Sequence, residues 1–501
     1  MRIGVLEILS LPSQNIANSA YNSIFVKQYA SIMPQVVAVW CRRRGHEVYY
    51  ASYHGTGSVF SRLPADLDIL FVSCHTQASP LAYAISRLCR RRGITSVIGG
   101  PHARAFPVDC LRFFDVVVKS CDEVAISGIL DNDYPPGSIV TADSGLSGLP
   151  SLEERIQEVR ASSFYRLRRR GLVTIIPLLA SMGCPYSCDF CVDWSTRYQH
   201  VSQDQLQADL EYVSRNYPGC LVAFHDPNFG VRFNESLAAM ESLPSGRRPP
   251  YMMESSLTVL HGDRLRRLKD TNCVYVAPGV ESWSDYSNKA GAGRSSGDAK
   301  LARVLEQFDR IKGNIPYIQA NFIFGLDSDS GYGPVELTKE FMTRAPHVWP
   351  VVNVPVPFGG TPMQRRLMEN DRVLSQMPFA FYYSPFLVMR LANYSAVEFY
   401  ENIIDLLEFT SSAEMLRRRV AAAPSGRVAG INALRSAAIR GTLVKFRRIL
   451  KGLKEDRALR DFHDYGKGRL PQVYEELYDR MLGPYARLLS PADRTPECDA
   501  E

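Results

Sequence analysis

Short apolar runs alternate with helix-like stretches along the first 145 residues. The apolar runs fall at residues 1–8, 47–53, 68–74, 96–100 and 115–119. The stretches between them, such as 35–44 and 81–92, repeat apolar residues at helical spacing and end in arginines. Strands that alternate with helices in this way predict a parallel sheet covered on both faces, as in a doubly wound, Rossmann-like domain.

A second series of the same kind follows the first. Its candidate strands are residues 173–180, 221–226, 251–255, 273–281, 317–325 and 351–356, with helical stretches such as 205–215, 263–270 and 297–312 between them. Six strands in this order predict a partial (β/α)6 barrel, whose chemistry gathers at the carboxyl ends of the strands. The predicted architecture is α/β, with a first domain at 1–145, a linker helix at 146–172, the barrel at 173–394 and a helical region at 395–501.

The composition is that of an ordinary globular protein, with 46% hydrophobic residues, 22% charged residues and a net charge of +6. No apolar run reaches the roughly 18 residues that a membrane-spanning helix requires. The chain begins with a strand-like pattern instead of a charged and then apolar leader. Eight of the 11 cysteines are scattered along the chain, which suits a reducing compartment, so we expect a cytoplasmic protein.

The one cysteine cluster has the spacing C-x3-C-x2-C and consists of Cys184, Cys188 and Cys191. Three thiolates on one loop can hold three corners of a cubane iron–sulfur cluster and leave the fourth iron open to a small molecule. Structural zinc sites more often show paired cysteines and four ligands. The competing interpretation is three unrelated buried thiols, because free cysteine is often a core residue.

With Phe190 between its second and third cysteines, this segment resembles the C-x3-C-x-Φ-C signature of the radical SAM superfamily. The resemblance implies a [4Fe-4S] cluster bound by Cys184, Cys188 and Cys191. It also implies that the open iron chelates S-adenosyl-L-methionine (SAM), with Phe190 near the adenine.

Polar residues follow the later barrel strands in the positions that the same family uses for SAM. Asp226 and Asn228 end the second strand and resemble the segment near the amino group of SAM. Carboxylates suit an ammonium group and ribose hydroxyls. The remaining candidates at strand ends are Glu254 and Ser255 beside the ribose, and Gly279, Glu281 and Ser282 in a G-x-E-S motif.

The first domain resembles the cobalamin-binding domain that precedes the barrel in many radical SAM enzymes. The resemblance rests on an S-x-x-T motif followed, after a helix and a strand, by GGPH. It implies that cobalamin contacts Ser73, Thr76, Gly99, Gly100, Pro101 and His102. One departure stands against it, because residues 119–123 replace the family's Gly-Glu-Gly-Glu loop. The D-x-H-x-x-G motif of other cobalamin proteins is also absent, but radical SAM members of the cobalamin group commonly lack it, so its absence is compatible with binding. A domain that keeps the fold without cobalamin is therefore an open alternative.

Residues 411–470 hold 15 arginines and lysines against 5 acidic residues. Within them Ile439, Leu443, Phe446, Leu450 and Leu453 recur at spacings typical of one helix face. Three interpretations follow: a helix packed on the barrel, peripheral contact with a membrane surface, or nucleic-acid binding. We favour the packed helix and consider nucleic acid the least supported.

The family resemblance implies a radical enzyme that most simply methylates an unactivated carbon through methylcobalamin. A radical cyclisation or rearrangement without methyl transfer, and a non-catalytic redox sensor, are the alternatives. The expected partners are a one-electron donor such as flavodoxin or ferredoxin and a small-molecule substrate, apolar or a biosynthetic intermediate. Residues 355–362 and the aromatic run 379–386 are candidates for its pocket, although aromatic runs are more often core.

Overall fold

A computed structural model of the chain describes residues 1–142, 146, 148–163, 174–286, 291, 294–466 and 468–497. In the first domain six parallel strands form one sheet in the order β2-β1-β3-β4-β5-β6. The strands are β1 (Arg2–Ile8), β2 (Glu47–Tyr53), β3 (Ile69–Cys74), β4 (Thr95–Gly99), β5 (Val116–Ser120) and β6 (Ser138–Thr141). This arrangement confirms the doubly wound sheet, and β6 is an edge strand that the sequence pattern did not reveal.

The first domain carries helices α1 (Ile16–Ile24), α2 (Ile32–Arg43), α3 (Ser79–Arg91), α4 (Gly100–Ala105), α5 (Pro107–Leu111) and α6 (Glu123–Leu130). Both faces of the sheet are covered, because separate apolar clusters lie on its two sides. A linker helix, α7 (Leu152–Ser162), begins with a capping box between Ser151 and Glu154. The basic residues predicted at its end, 166–170, lie outside the described residues.

The second sheet is a partial barrel of six parallel strands in sequential order. Its strands are β7 (Ile175–Leu178), β10 (Leu221–Phe224), β11 (Tyr251–Ser255), β12 (Cys273–Glu281), β13 (Tyr317–Ile323) and β14 (Val348–Asn353). A short antiparallel pair, β8 (Ser181–Met182) and β9 (Gln199–His200), brackets the loop that holds the cysteines. The barrel helices are α8 (Gln203–Asn216), α9 (Phe233–Glu241), α10 (Asp263–Asp270), α11 (Gly297–Ile311) and α12 (Gly333–Arg344).

Helices make up most of the C-terminal region: α13 (Pro362–Glu369), α14 (Ala396–Thr410), α15 (Ala413–Ala422), α16 (Gly426–Glu455), α17 (Arg457–Tyr465), α18 (Gln472–Leu482) and α19 (Pro491–Arg494). The apolar stripe of α16 packs into the largest hydrophobic core, where Phe446 is 1% and Leu453 is 0% exposed. The stripe is therefore covered by protein, as in the packed-helix interpretation. No helix in the described residues combines the length and hydropathy needed to cross a bilayer.

The aromatic run that the sequence offered as a pocket wall belongs mostly to the core. Phe379, Phe381 and Tyr382 are at most 3% exposed and pack between the first domain and the C-terminal helices. This placement corrects the expectation that the run contacts a substrate. Its physical role is to fix the first domain against the rest of the chain.

Candidate functional site

The three cysteines lie on a loop that leaves the carboxyl end of β7. Gly183 begins this loop with φ of +74°, and a side chain there would collide with the backbone oxygens of Thr196 and Arg197. A turn bond from the Cys191 N–H to the Cys188 carbonyl (3.0 Å) shapes the loop, and the Asp193 N–H lies 3.5 Å from Cys191 Sγ. Such a donor stabilises a thiolate.

Exposure distinguishes these cysteines from most others. Cys184, Cys188 and Cys191 are partly exposed, whereas six of the other described cysteines are buried. Burial raises the pKa of the Cys41 and Cys273 thiols to about 12, so they remain protonated and are poor metal ligands. Among the described residues no three His, Cys, Asp or Glu side chains converge on one metal ion.

The middle of the cysteine loop is fastened to the barrel through Asp189. Its carboxylate accepts a hydrogen bond from the Tyr286 hydroxyl and forms an ion pair with Arg366 on α13 (2.9 Å). The Asp189 carbonyl also accepts from the Met363 N–H (3.0 Å). The Phe190 ring lies nearly parallel to the Tyr286 ring at a centroid distance of 6.0 Å. Phe190 is thus held at the barrel mouth, where the sequence predicted the adenine.

Asp226 is 2% exposed and ties the end of β10 to the chain just before the cysteines. Its carboxylate accepts from the Ala180 N–H (2.9 Å) and from the Ser181 hydroxyl. Burial raises the pKa of Asp226 to about 7. The structure therefore gives this residue a positioning role in the cysteine loop.

Asn228 and Glu254 present groups that a ligand can use. Asn228 is 0% exposed, and within the described part of the chain neither its Nδ2 nor its Oδ1 has a hydrogen-bond partner. A buried unpaired amide is costly, so a ligand group that pairs with it is expected here. Glu254 is exposed on the inner face of β11, whereas the buried Ser255 hydroxyl is already bonded to the Phe229 carbonyl (2.8 Å).

The G-x-E-S motif forms an irregular end to β12. Glu281 has φ of +66°, an uncommon conformation for a residue with a side chain, and its carboxylate folds back over Gly279. The Ser282 hydroxyl donates to Asp329 Oδ1 (2.9 Å). Behind them Lys300 is 1% exposed, and burial lowers its pKa to about 8. Strained backbone of this kind concentrates at functional sites.

In the first domain the two predicted cobalamin motifs meet at adjacent strand ends. Ser73 on β3 pairs in register with Gly99 on β4. Gly100 follows with φ of +86°, and any side chain there would overlap the Ser73 hydroxyl. This contact explains why residue 100 is a glycine. Gly99 and Gly100 are half-buried and Pro101 is exposed, so the backbone of these residues forms an accessible cradle. Thr76 is buried at the start of the next turn.

The His102 side chain lies in the core and not on the surface that was predicted to contact cobalamin. It is 0% exposed, its Nε2 lies 2.6 Å from the Tyr83 hydroxyl, and its ring packs edge-on against Phe379 at 4.8 Å. Burial lowers its pKa to about 3, so the ring is neutral. The His102 side chain supports the cradle from the core side and is enclosed by protein, in contrast to the predicted contact with cobalamin.

The two domains are joined directly at their sites. Arg104, on α4 just after the cradle, forms an ion pair with Asp193 (3.0 Å) and hydrogen bonds to the Val192 carbonyl and the Thr196 hydroxyl in the cysteine loop. The carboxyl ends of both sheets therefore lie next to each other. Sequence reasoning missed Arg104, Tyr286 and Arg366, because no local pattern separates them from other surface residues.

Residues 178–330 match the model of the radical SAM superfamily. Two bacteriochlorophyllide d methyltransferases of Chlorobaculum tepidum are similar to the chain. The C-8(2)-methyltransferase is 23% identical over 334 residues, covering 62% of this chain and 70% of the relative. The C-12(1)-methyltransferase is 23% identical over 398 residues, covering 76% and 82%.

Among solved structures, the cobalamin-dependent SAM radical enzyme OxsB, determined with aqua-cobalamin bound, matches with a TM-score of 0.59. The match has 10% sequence identity and covers 99% of this chain and 82% of that one. This likeness extends the agreement from the barrel to the first domain. The family match shows a radical SAM domain at residues 178–330, and the chain as a whole has a fold similar to that of the cobalamin-bound enzyme OxsB.

Proposed function

We propose that this chain is a cobalamin-dependent radical SAM methyltransferase that methylates a carbon atom of a small-molecule substrate. When bound, the cluster and SAM would supply a carbon-centred radical, and cobalamin would supply the methyl group. The observation that carries the proposal is the direct bonding of Arg104, beside the cobalamin cradle, to Asp193 in the cysteine loop.

The protein's part in this chemistry is to hold the cofactors around one cavity. Cys184, Cys188 and Cys191 would bind three irons. Asn228 has unsatisfied donor and acceptor atoms for SAM, and Glu254 is exposed inside the barrel for its ribose. The backbone at Gly99 and Gly100 would lie against cobalamin. The two bacteriochlorophyllide d relatives, which cover 62% and 76% of this chain, are named as methyltransferases, which supports methyl transfer over other radical reactions.

Two experiments test the proposal. Anaerobic reconstitution should give about four irons per chain and 5′-deoxyadenosine under dithionite, and replacing Cys184, Cys188 and Cys191 by Ala should abolish both. Cys121→Ala is the matched control, because Cys121 is also partly exposed but lies outside the loop. Iron retained in the triple variant would refute the cluster assignment.

Expression with hydroxocobalamin tests the first domain separately. A bound corrinoid, seen in the absorbance spectrum of the purified protein, supports the methyltransferase. Loss of corrinoid on purification, with 5′-deoxyadenosine still formed, would replace methyl transfer by a radical reaction that needs no cobalamin. An electron donor of the flavodoxin or ferredoxin type belongs to the proposal in both cases.

A further inference from the structure

Helix α16 carries a second stripe of small and apolar residues on the side opposite its buried stripe. The members of this outer stripe recur at spacings of 3, 4 and 3 residues and are all exposed: Leu434, Ala437, Gly441 and Val444. Leu434 is 74% and Val444 is 63% exposed, whereas Phe446 on the buried side is 1% exposed. At helical rise the outer stripe extends about 15 Å. Large apolar side chains that line up on a solvent-facing helix surface indicate a contact with something outside the protein core.

Cations flank the outer stripe. By helical geometry Arg440 lies along one edge of the stripe, Lys445 lies along the other edge, and Arg448 follows one turn after the last member. All three side chains are exposed, and none of them forms an ion pair in the described part of the chain. The neighbouring Arg447, in contrast, pairs with Glu408 (2.7 Å) on α14. The three flanking cations are therefore available to an anionic partner.

The positive charge of the protein is concentrated on this helix. Residues 426–454 hold eight arginines and lysines and no acidic residue, and Glu455 is the only carboxylate of α16. The whole chain has a net charge of +6, so the sequence outside this helix is close to neutral. A cationic surface on an otherwise nearly neutral protein attracts anionic partners and turns this side of the molecule toward them.

An apolar stripe bordered by cations is complementary to the surface of an anionic lipid bilayer. The apolar side chains can lie at the boundary between headgroups and acyl chains, while lysine and arginine side chains extend to the lipid phosphates. A nucleic acid also matches the charge, but it would leave Leu434 and Val444 in water. The one aromatic residue of α16, Phe446, is buried, so the outer face offers no ring on which bases could stack.

The protein holds the outer stripe on a fixed support. Phe446 and Leu453, on the opposite side of α16, lie in the largest hydrophobic core and are at most 1% exposed. The Ser425 hydroxyl accepts a hydrogen bond from the Val428 N–H and caps the start of the helix. The helix is therefore formed before any partner arrives, and docking does not have to order it.

We propose that the outer stripe of α16 and its flanking cations, Arg440, Lys445 and Arg448, dock the protein on an anionic phospholipid surface. The helix lies along the membrane, with Leu434 and Val444 in the headgroup region and the cations on lipid phosphates. The proposal goes beyond the proposed function, because it concerns where the protein acts and needs neither the cluster nor cobalamin.

The test measures co-sedimentation of the full-length, reconstituted protein with phosphatidylcholine vesicles, prepared with and without phosphatidylglycerol. We expect at least about tenfold tighter binding to the vesicles that contain phosphatidylglycerol. Most of this difference should disappear when NaCl rises from about 0.1 M to about 0.5 M, because salt screens exposed charges.

Two sets of variants separate the charged part of the surface from the apolar part. Replacing Arg440, Lys445 and Arg448 by Gln should weaken binding to anionic vesicles about a hundredfold. The matched control makes the same change at three exposed arginines of the barrel helices: Arg215, Arg266 and Arg310. It removes as much net charge and should bind as the wild type does.

Leu434→Ser should weaken binding to anionic vesicles about tenfold, because the apolar side chain no longer leaves water. Val124→Ser is its control, since Val124 is 78% exposed on α6 of the first domain, away from α16. This control should leave vesicle binding unchanged.

Equal binding of the wild type to both kinds of vesicle, or binding to neither, would overturn the proposal, and so would a loss in either control as large as in its test variant. The wild-type comparison decides the question even if a variant fails to fold. A protein that ignores both vesicles but binds single-stranded RNA through the same three cations would assign the surface to nucleic acid and also overturn the proposal. Formation of 5′-deoxyadenosine is measured separately and bears only on the proposed function.

Discussion

Single residues in this site are constrained by close contacts that their neighbours impose. Gly100 is an example, because its φ of +86° and the Ser73 hydroxyl above it leave no room for a side chain. Gly45 has a similar φ of +81° but open space around it. A comparison of Gly45 with Gly100 separates the free-energy cost of a left-handed backbone from the free-energy cost of a steric collision.

We expect Gly45→Ala to lower the free energy of unfolding by about 1 kcal/mol, the usual cost of a left-handed alanine. Gly100→Ala should lower it by a further 1–3 kcal/mol, roughly, and weaken hydroxocobalamin binding, because the collision displaces the cradle. Thermal unfolding and corrinoid titration measure the two effects. Equal losses for both variants would show that Ser73 does not restrict position 100.

Asp226 gives the protein a pH dependence with a definite sign. Its pKa rises from 3.8 in the unfolded chain to about 7 in the folded state, because burial disfavours the charge. Between these values the folded state binds more protons, so this group's contribution to stability falls as pH rises from about 4 to about 7, by at most about 4 kcal/mol.

Asp226→Asn should therefore flatten the decrease in the apparent unfolding midpoint between pH 5 and pH 8. Some slope will remain, since burial also raises the pKa of Glu7 to about 7. The same variant should bind iron less firmly at neutral pH, because the bonds that pin residues 180 and 181 are altered. An unchanged pH profile would show that Asp226 titrates normally.

At the scale of elements, the sequence pattern predicted most strands to within one or two residues and predicted the α10 bounds as observed. Hydrophobic periodicity is a local property of the sequence, so it predicts the elements that are buried on one face. The edge strand β6 and the helix α1 are among the elements that the pattern did not predict, for the opposite reason. Edge strand β6 is short, and α1 has no buried face, so neither gives a strong periodic signal.

The cysteine loop depends on two neighbouring elements, the segment after β12 through Tyr286 and α13 through Arg366. Both hold the Asp189 carboxylate. We expect Tyr286→Phe and Arg366→Gln to reduce stability by less than about 1 kcal/mol, because the Arg366 pair is partly exposed. Loss of iron to a chelator should accelerate about tenfold, since a displaced loop holds the cluster less firmly.

The control for this prediction is Arg344→Gln, which breaks a surface pair with Glu340 (2.9 Å) on α12. Iron release should be unchanged in that variant. If all three variants release iron at the wild-type rate, Asp189 does not position the cluster loop.

At the scale of the whole molecule, function depends on how the first domain is docked on the barrel. The aromatic core around Phe379 fixes their relative position, and Arg104 bonds the cobalamin side to the cysteine loop. Arg104 and Asp193 are 89 residues apart in the sequence, yet their side chains meet at this junction. Contacts of this kind, between residues far apart in the chain, cannot be predicted from the local sequence.

Arg104→Gln should loosen the junction between the domains. We expect amide hydrogen exchange in residues 100–106 and 192–196 to become about tenfold faster, which corresponds to about 1.4 kcal/mol of local stability. Arg44→Gln, which breaks an exposed pair with Asp131 (2.6 Å), is the control and should leave these segments unchanged. Equal exchange in wild type and Arg104→Gln would mean that the aromatic core alone fixes the junction.

The sequence by itself determined the types and order of the elements, the two α/β domains and the cysteine motif, because these depend on local periodicity and spacing. It also predicted Gly100 and Asn228 as candidate site residues, which remains a prediction. Only the tertiary structure decided that His102 and most of the aromatic run at 379–386 are buried, that Asp226 positions a loop, and that Arg104 joins the first domain to the cysteine loop. Such roles depend on contacts between residues that are far apart in the chain, and the same side chain is core, support or ligand according to what packs against it.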